Sequence, residues 1–209
     1  MTRFIVIRHG ETRWNLAARV QGHLDSELTP AGIEQADAIA RRLAEEPFDL
    51  LVSSDLGRAH ETARRIAEVS GHAIRLDARF RERNFGAGAG LTYAEIDQLY
   101  PDAFTRNREI DPDHAIPGGE SRRAFQERVA HAFAALAADE PGKRITVVSH
   151  GGVLGALYRH IHGIPVATPH RIAIANASYN ALTFDGGRWT VDAWADTAHL
   201  PGAAAFEET

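Results

Sequence analysis

The sequence predicts an α/β protein with three layers, in which helices cover both faces of a mostly parallel sheet. Short runs of consecutive apolar, often β-branched residues alternate along the chain with longer segments whose apolar residues recur at helical spacing. Runs that are apolar throughout are typical of strands buried on both faces. The chain has 209 residues, of which 44% are hydrophobic and 24% charged. This length and composition suit a single globular domain with a sizeable core.

The first half of the chain predicts two strands, each followed by a helix. Residues 4–7 form the first apolar run, and a polar loop rich in Gly, Asn and Gln follows it. Thr29 and Pro30 then predict an N-cap and the first position of a helix. Residues 50–53 predict a second buried strand, and Gly71 is placed to end the helix behind it.

The middle of the chain departs from this pattern. Residues 73–76 predict a short third strand, but residues 82–120 hold five glycines and three prolines and show little periodicity. We therefore predict a lid inserted at about residues 83–120 of one domain that spans residues 1–209, with some helix near residues 93–99. The tail from Leu200 is expected to be frayed.

Regular structure resumes after the predicted lid. Ser121 predicts the N-cap of a helix, and residues 145–148 predict a fourth buried strand with a further helix behind it. Residues 179–184 and 189–194 predict two late strands joined by an Asp-Gly-Gly turn.

Composition excludes several classes of function. The chain contains no cysteine, which excludes disulfide scaffolds, thiolate catalysis and cysteine-ligated metal sites. Its net charge of −5 provides no basic surface for nucleic acid, so no nucleic-acid partner is expected. No apolar stretch approaches the ~20 residues that a membrane span needs. We expect a cytoplasmic protein with no membrane partner, either a monomer or a homodimer.

Charged side chains follow the predicted buried strands. Arg8 and His9 follow the first strand, Arg58 comes shortly after the second, and His150 follows the fourth. Sites in parallel sheets form at the carboxyl ends of strands, so these side chains are expected at one edge. Two guanidinium groups suit bidentate binding of a phosphate. One histidine could attack phosphorus if it is neutral, and the other could donate a hydrogen bond to the phosphoryl oxygens.

A leaving oxygen also needs a proton. Glu82, at the start of the predicted lid, is the nearest acid outside a helical pattern. A neighbouring phosphate would raise the pKa of a carboxyl group, which suits a general acid. This assignment depends mainly on the position of Glu82 in the chain.

Several segments together resemble the histidine phosphatase superfamily, which includes the phosphoglycerate mutases. The resemblance extends along nearly the whole chain, and four motifs occur in the family's order. They are residues 8–12 (RHGET), 53–59 (SSDLGRA), 81–86 (RERNFG) and 148–152 (VSHGG).

The resemblance implies a role for each matching residue. His9 would be the nucleophile that forms a phosphohistidine, and Glu82 would protonate the leaving group and then activate the acceptor. The remaining implied residues would bind the phosphoryl group or the substrate: Arg8, Asn15, Gln21, Gly22, Arg58, His150 and Gly151. No metal ion or other cofactor is implied, and the expected partner is a small phosphorylated metabolite.

Other interpretations of these residues remain open. His9 and His150 could be structural histidines, or could form a metal site together with Glu82. Two arginines in the same cluster argue against a metal site, because they would repel a dication. The chain could also be an inactive phosphate-binding module, although such a module needs neither a nucleophile nor an acid.

The acceptor of the phosphoryl group separates a phosphatase from a mutase. Cofactor-dependent phosphoglycerate mutases of this family carry a tyrosine and extra basic residues soon after the acid. Residues 84–92 of this chain (NFGAGAGLT) contain neither. Metal-independent hydrolysis of a phosphomonoester is therefore the leading hypothesis, and phosphoglycerate mutase activity is the alternative.

Overall fold

The computed structural model describes residues 1–101, 111–168 and 172–200, together with the backbone of residues 207–208. The strands among these residues are β1 (Thr2–Arg8), β2 (Leu50–Ser53), β3 (Ile74–Leu76), β4 (Arg144–Ser149), β5 (Ile172–Ala173), β6 (Tyr179–Asp185), β7 (Arg188–Asp196) and β8 (Glu207–Glu208). The α-helices are α1 (Arg13–Leu16), α2 (Pro30–Ala44), α3 (Gly57–Ser70), α4 (Tyr93–Leu99), α5 (Arg122–Asp139) and α6 (Gly151–His162). No helix within the described ranges is long and apolar enough to cross a membrane.

The main sheet confirms the predicted fold class. Its strand order is β3-β2-β4-β1-β6-β7, and the first four of these strands run parallel. The two late strands β6 and β7 form an antiparallel hairpin at the other side of the sheet, where β6 pairs with β1. The sheet is therefore mostly parallel, as the apolar runs predicted.

Alternate residues of β1 separate the two apolar cores. Phe4 and Val6 pack in a core with α5 and α6 on one face of the sheet. Ile5 and Ile7 pack in a second core with α2 and α3 on the opposite face. Successive side chains of a strand point to opposite faces, so a run that is apolar throughout must be covered on both. The predicted three layers are present.

The predicted helix ends are confirmed where side chains cap them. The Thr29 hydroxyl accepts a hydrogen bond from the Gly32 N–H at 2.9 Å, and the Ser121 hydroxyl accepts one from the Ala124 N–H at 3.1 Å. Gly71 ends α3 with a φ of 73°, in the left-handed region that favours glycine.

Two expectations were wrong. The polar loop after β1 contains the short helix α1, which begins where Thr12 and Asn15 form a capping box. No residue of α1 is buried, so no apolar spacing indicated a helix there. The tail is not frayed at Leu200, because this side chain packs in the second core. Residues 201–206 and 209, which the same expectation covered, lie outside the described residues.

The segment predicted as a lid contains the predicted helix near residues 93–99 as α4. Ile96 of this helix packs with Val20 and Ile116 in a third, small apolar cluster. Residues 102–110, also part of the predicted lid, lie outside the described residues. The function of this segment as a lid stays a prediction.

A close backbone contact fixes the loop after β1. A Cβ atom added at Gly10 would lie 2.3 Å from the Gly32 carbonyl oxygen, and one added at Gly32 would lie 2.0 Å from the Glu11 carbonyl oxygen. Only glycine at both positions allows the first turn of α2 to pack this tightly against the loop. This contact holds the loop directly behind His9.

We expect Gly32→Ala to lower the free energy of unfolding by roughly 1–3 kcal/mol, because the added methyl group must push two backbone segments apart. Urea unfolding monitored by circular dichroism measures this change. Gly155→Ala is the matched control, since a Cβ atom within α6 would meet only the Ile172 side chain, at 4.0 Å. The control should be neutral or stabilising by up to about 1 kcal/mol. Equal stability of the two variants would contradict the prediction.

Candidate active site

The carboxyl ends of three neighbouring parallel strands bring the predicted site residues together. Arg8 ends β1 and His9 follows it, Arg58 lies in the first turn of α3 behind β2, and His150 follows β4. Arg8 and Arg58 are 6% and 2% exposed, and both histidines are at most 3% exposed. Burial of two cations costs several kcal/mol unless they have partners, so the site is organised around satisfying them.

The two histidine rings lie side by side. Their centroids are 5.3 Å apart, with an angle of 60° between the ring planes. His9 Nδ1 lies 2.8 Å from the Gly10 carbonyl oxygen, which can only accept a hydrogen bond. Nδ1 therefore carries the proton of the neutral ring, and Nε2 keeps its lone pair. Arg58 Nε donates to this Nε2 at 3.2 Å.

Both imidazoles are held in their neutral form. Burial, followed by the charges of Arg58 and Arg8, lowers the pKa of His9 well below its usual value. Burial, followed by the charge of Arg58, does the same to the pKa of His150. A neutral imidazole with a free lone pair is the form that can act as a nucleophile.

The loop between α1 and α2 provides three hydrogen-bond acceptors for the Arg58 guanidinium. Its Nη1 donates to the Leu24 carbonyl oxygen at 2.8 Å and to Asp25 Oδ1 at 3.0 Å, and its Nη2 donates to the Gly22 carbonyl oxygen at 2.9 Å. Asp25 also accepts from the Gly57 N–H at the start of α3. Burial lowers the pKa of Arg58, and the charges of Glu82 and Asp25 oppose that shift.

The other residues predicted to bind phosphate differ in the contacts that they make within the protein. Arg8 Nη1 donates to the Ile174 carbonyl oxygen at 2.6 Å. Gln21 is 7% exposed, and its buried side-chain oxygen has no hydrogen-bond partner among the described residues. Asn15 uses its side-chain oxygen to cap α1, accepting from the Thr12 N–H at 3.0 Å. Gly22 supplies a carbonyl group to Arg58, and Gly151 begins α6.

Glu82 lies against the N-terminus of α6. Its Oε2 accepts from the Gly152 N–H at 2.9 Å, and its Oε1 accepts from the Arg83 N–H at 2.7 Å. A Cβ atom added at Gly152 would lie 2.2 Å from Glu82 Oε1, so glycine is required for this approach. The helix that begins after His150 therefore also positions the predicted acid.

Arg128, which the sequence did not single out, holds the backbone around Glu82. This residue of α5 donates to the carbonyl oxygens of Arg79, Arg81 and Glu82 at 2.8, 3.0 and 3.2 Å. Its Nε and Nη2 also form a fork with the Glu120 carboxylate at 2.7 and 2.8 Å. Burial of Glu120 acts to raise the pKa of its carboxyl group, but the hydrogen bonds and charge of Arg128, together with the Asn84 N–H and the charge of His23, lower it overall.

Two further residues near the phosphoryl-binding side were missed. Asp25 lies in a polar loop, and no periodic spacing of apolar residues predicted the structure of that loop. Asn176 donates from its side-chain amide to the His9 carbonyl oxygen at 2.9 Å and is separated from it by 167 positions. Among the described residues, no group of three or more His, Asp or Glu side chains is arranged to hold a metal ion.

Known proteins are similar to this chain over nearly its full length. The chain is 40% identical to phosphoglycerate mutase-like protein 4 of Arabidopsis thaliana, a match that covers 94% of this chain and 86% of the relative. It is 38% identical to the glucosyl-3-phosphoglycerate phosphatase of Mycobacterium tuberculosis, covering 95% and 96% of the two chains. A mutant phosphoserine phosphatase of Entamoeba histolytica, solved with phosphoserine, superposes with a TM-score of 0.84 at 30% identity, covering 96% and 100%.

The sequence resemblance is thereby confirmed, as is the prediction of a phosphomonoesterase-type enzyme. The family model of the histidine phosphatase superfamily (branch 1) matches residues 4–197, which include all of the site residues described above. Relatives named as phosphatases match this chain over nearly its whole length. The chain belongs to the histidine phosphatase superfamily (branch 1).

Proposed function

We propose that this chain hydrolyses small phosphorylated metabolites through a phosphohistidine formed on Nε2 of His9. One observation carries the proposal: a buried, neutral His9 directs its Nε2 lone pair at Arg58, in a cluster with Arg8 and His150. A tetrahedral dianion complements two guanidinium groups and an imidazole N–H. When a phosphoryl oxygen accepts the hydrogen bond of Arg58 Nε in place of His9, the Nε2 lone pair becomes free to attack phosphorus.

In the first step, His9 Nε2 attacks the phosphorus atom and the bond to the leaving oxygen breaks. Arg8 and Arg58 neutralise the three other phosphoryl oxygens, and His150 donates a hydrogen bond to them. The leaving oxygen takes a proton from the Glu82 carboxyl group. Departure as an alcohol avoids the much less stable alkoxide.

In the second step, the Glu82 carboxylate removes a proton from water. The resulting hydroxide attacks phosphorus, the P–N bond breaks, and its electron pair returns to His9 Nε2. Glu82 is protonated again and phosphate leaves, so the two steps together add one water molecule to the ester. No step needs a metal ion, because two arginines neutralise the transferred charge and His150 donates a hydrogen bond to it.

The segment after Glu82 favours water over a sugar acid as the acceptor. Residues 84–101 contain no lysine, arginine or histidine. A mutase must retain the dephosphorylated, negatively charged fragment and exclude water while the phosphoryl group returns to it. Residues 84–101 add no cation to Arg83 for retaining that fragment, which favours phosphomonoester hydrolysis over mutase activity.

Arg83 indicates that the substrate carries a second anionic group. This side chain is 5% exposed, and its single hydrogen bond within the described structure runs from Nε to the Glu120 carbonyl oxygen at 2.9 Å. Burial, followed by the charge of Arg122, lowers the pKa of Arg83 to about 10. The neighbouring acidic groups therefore do not fully offset the cost of burying this cation. We propose that a carboxylate of the substrate binds Arg83. The names of the matched phosphatases denote phosphorylated acids.

We expect the purified protein to hydrolyse 4-nitrophenyl phosphate in the presence of EDTA and His9→Ala to lose about 10³-fold or more of this activity. Because its pKa is lowered, His9 stays unprotonated as the pH falls through 6.5, and turnover should persist there. Acid-labile, base-stable phosphate should be trapped on the wild-type enzyme and be absent from His9→Ala.

Failure to trap phosphate, with no turnover, would leave a phosphate-binding module. Primer-dependent conversion of 3-phosphoglycerate would support the mutase instead.

Gly152→Ala should displace the Glu82 carboxyl group, since the new methyl group would occupy its position. For phosphoserine we expect kcat to fall about 10²-fold, because its alkoxide must be protonated as it leaves. Nitrophenolate leaves without a proton, so 4-nitrophenyl phosphate should give a burst of one product per enzyme and then slow dephosphorylation. Stopped-flow absorbance measures the burst. Gly155→Ala in the same helix is the control, and an unchanged phosphoserine rate in Gly152→Ala would contradict this role of Glu82.

Arg83→Met should raise KM for phosphoserine or 3-phosphoglycerate about 10- to 100-fold, the value of a lost hydrogen bond to a charged group. KM for 4-nitrophenyl phosphate, which has no carboxylate, should stay within about twofold. Arg79→Met is the matched control, because its guanidinium is held by Asp77. Steady-state kinetics with both substrates measure these changes. An equal rise of KM for the two substrates would contradict the proposal.

A further inference from the structure

His150 presents one ring nitrogen to the protein and keeps the other without a partner. Its Nε2 lies 2.8 Å from the Ser54 hydroxyl oxygen. Its Nδ1 is buried and has no hydrogen-bond partner among the described residues. Because the ring is neutral, only one of the two nitrogens carries a proton. The identity of that nitrogen decides whether His150 donates to a phosphoryl oxygen or repels it.

The second contact of Ser54 settles the direction of the hydrogen bond. The Leu56 N–H donates to the Ser54 hydroxyl oxygen at 3.3 Å. If His150 Nε2–H donated to the same oxygen, the buried hydroxyl proton and the Nδ1 lone pair would both be left without a partner. The reverse arrangement leaves only the Nδ1–H, which a phosphoryl oxygen can accept. The favoured arrangement has the hydroxyl donating to Nε2, which places the ring proton on Nδ1.

The backbone holds Ser54 in place for this contact. Its N–H donates to the Val148 carbonyl oxygen at 2.9 Å, across the β2–β4 pairing and two residues before His150. The Ser53 hydroxyl donates to the Ser54 carbonyl oxygen at 2.7 Å. Both serines are 0% exposed, so no solvent competes for the hydroxyl proton.

We propose that Ser54 is a positioning residue, which fixes the tautomer of His150 so that Nδ1–H is available to the transferred phosphoryl group. The effect of Ser54 on catalysis rests on the proposed function. The tautomer of His150 can be measured whether or not the chain is an enzyme. Without the Ser54 hydroxyl, the imidazole proton is free to move to Nε2. His150 would then present a lone pair instead of an N–H at Nδ1, the ring nitrogen without a partner among the described residues, and the transition state would lose one donor.

Two-bond ¹H–¹⁵N correlation spectra of the resting enzyme test the tautomer directly, because protonated and unprotonated ring nitrogens give different ¹⁵N signals. The His150 signals are assigned by their loss in His150→Gln. In the wild-type enzyme we expect the proton of His150 on Nδ1, and in Ser54→Ala on Nε2 or shared. Thr146→Val, which removes a buried β4 hydroxyl that has no hydrogen-bond partner among the described residues, should keep the wild-type tautomer.

Kinetics complete the test. Ser54→Ala should lower kcat for 4-nitrophenyl phosphate about 10²-fold, the effect of one lost donor to the transition state, whereas Thr146→Val should retain wild-type kcat within a few-fold. Ser54→Thr restores the hydroxyl and should recover the Nδ1–H tautomer. A proton on Nε2 of the wild-type His150 overturns the proposal whether or not Ser54→Ala folds. An unchanged tautomer in folded Ser54→Ala also overturns it. Failure of the proposed function would appear separately, as absence of trapped phosphohistidine in every variant.

Discussion

The parallel pairing of β1 with β4 is the constraint on which the site depends. Arg8 lies opposite Ser149 in this pairing, so the next residues along each strand, His9 and His150, meet at the sheet edge. The His9 N–H continues the pairing by donating to the Ser149 carbonyl oxygen at 2.9 Å. A slip by one residue would turn every apolar side chain of β1 to the opposite face. The two cores thus fix the register, and the register brings the imidazoles together.

The second constraint is electrostatic. Two buried guanidinium groups would be costly alone, and Arg58 is compensated by Asp25 and two backbone carbonyl groups. Burial and the positive charge that remains keep His9 and His150 neutral. Since a neutral imidazole can be nucleophile or donor but not both at one nitrogen, the hydrogen bonds from the surrounding protein must set each tautomer. Gly10 does this for His9, and Ser54 is the corresponding contact of His150.

The parts of this structure that depend on neighbouring residues in the chain could be predicted from the sequence. Strand burial, the Thr29 cap and the Gly71 stop each follow from a few neighbouring residues, and they were predicted correctly. Asp25, Arg128 and Asn176 could not be predicted in the same way, because each acts on a group between 33 and 167 positions away. Arg128 sits within a regular helix, where an arginine is ordinarily a solvated surface residue. Only the assembled fold shows that α5 directs it at the backbone around Glu82.

The site divides into two halves with different origins. The phosphoryl half comes from strand ends and from helices packed on the sheet, so its geometry is set by the two cores. The leaving-group half begins at Glu82 and Arg83, whose backbone is held to α5 through Arg128 and Glu120. A change in residues 83–120 can therefore alter which ester is accepted without moving His9, Arg58 or His150. With the proposed function, the transfer step would depend on the sheet edge, and the choice of substrate would depend on the segment attached to it.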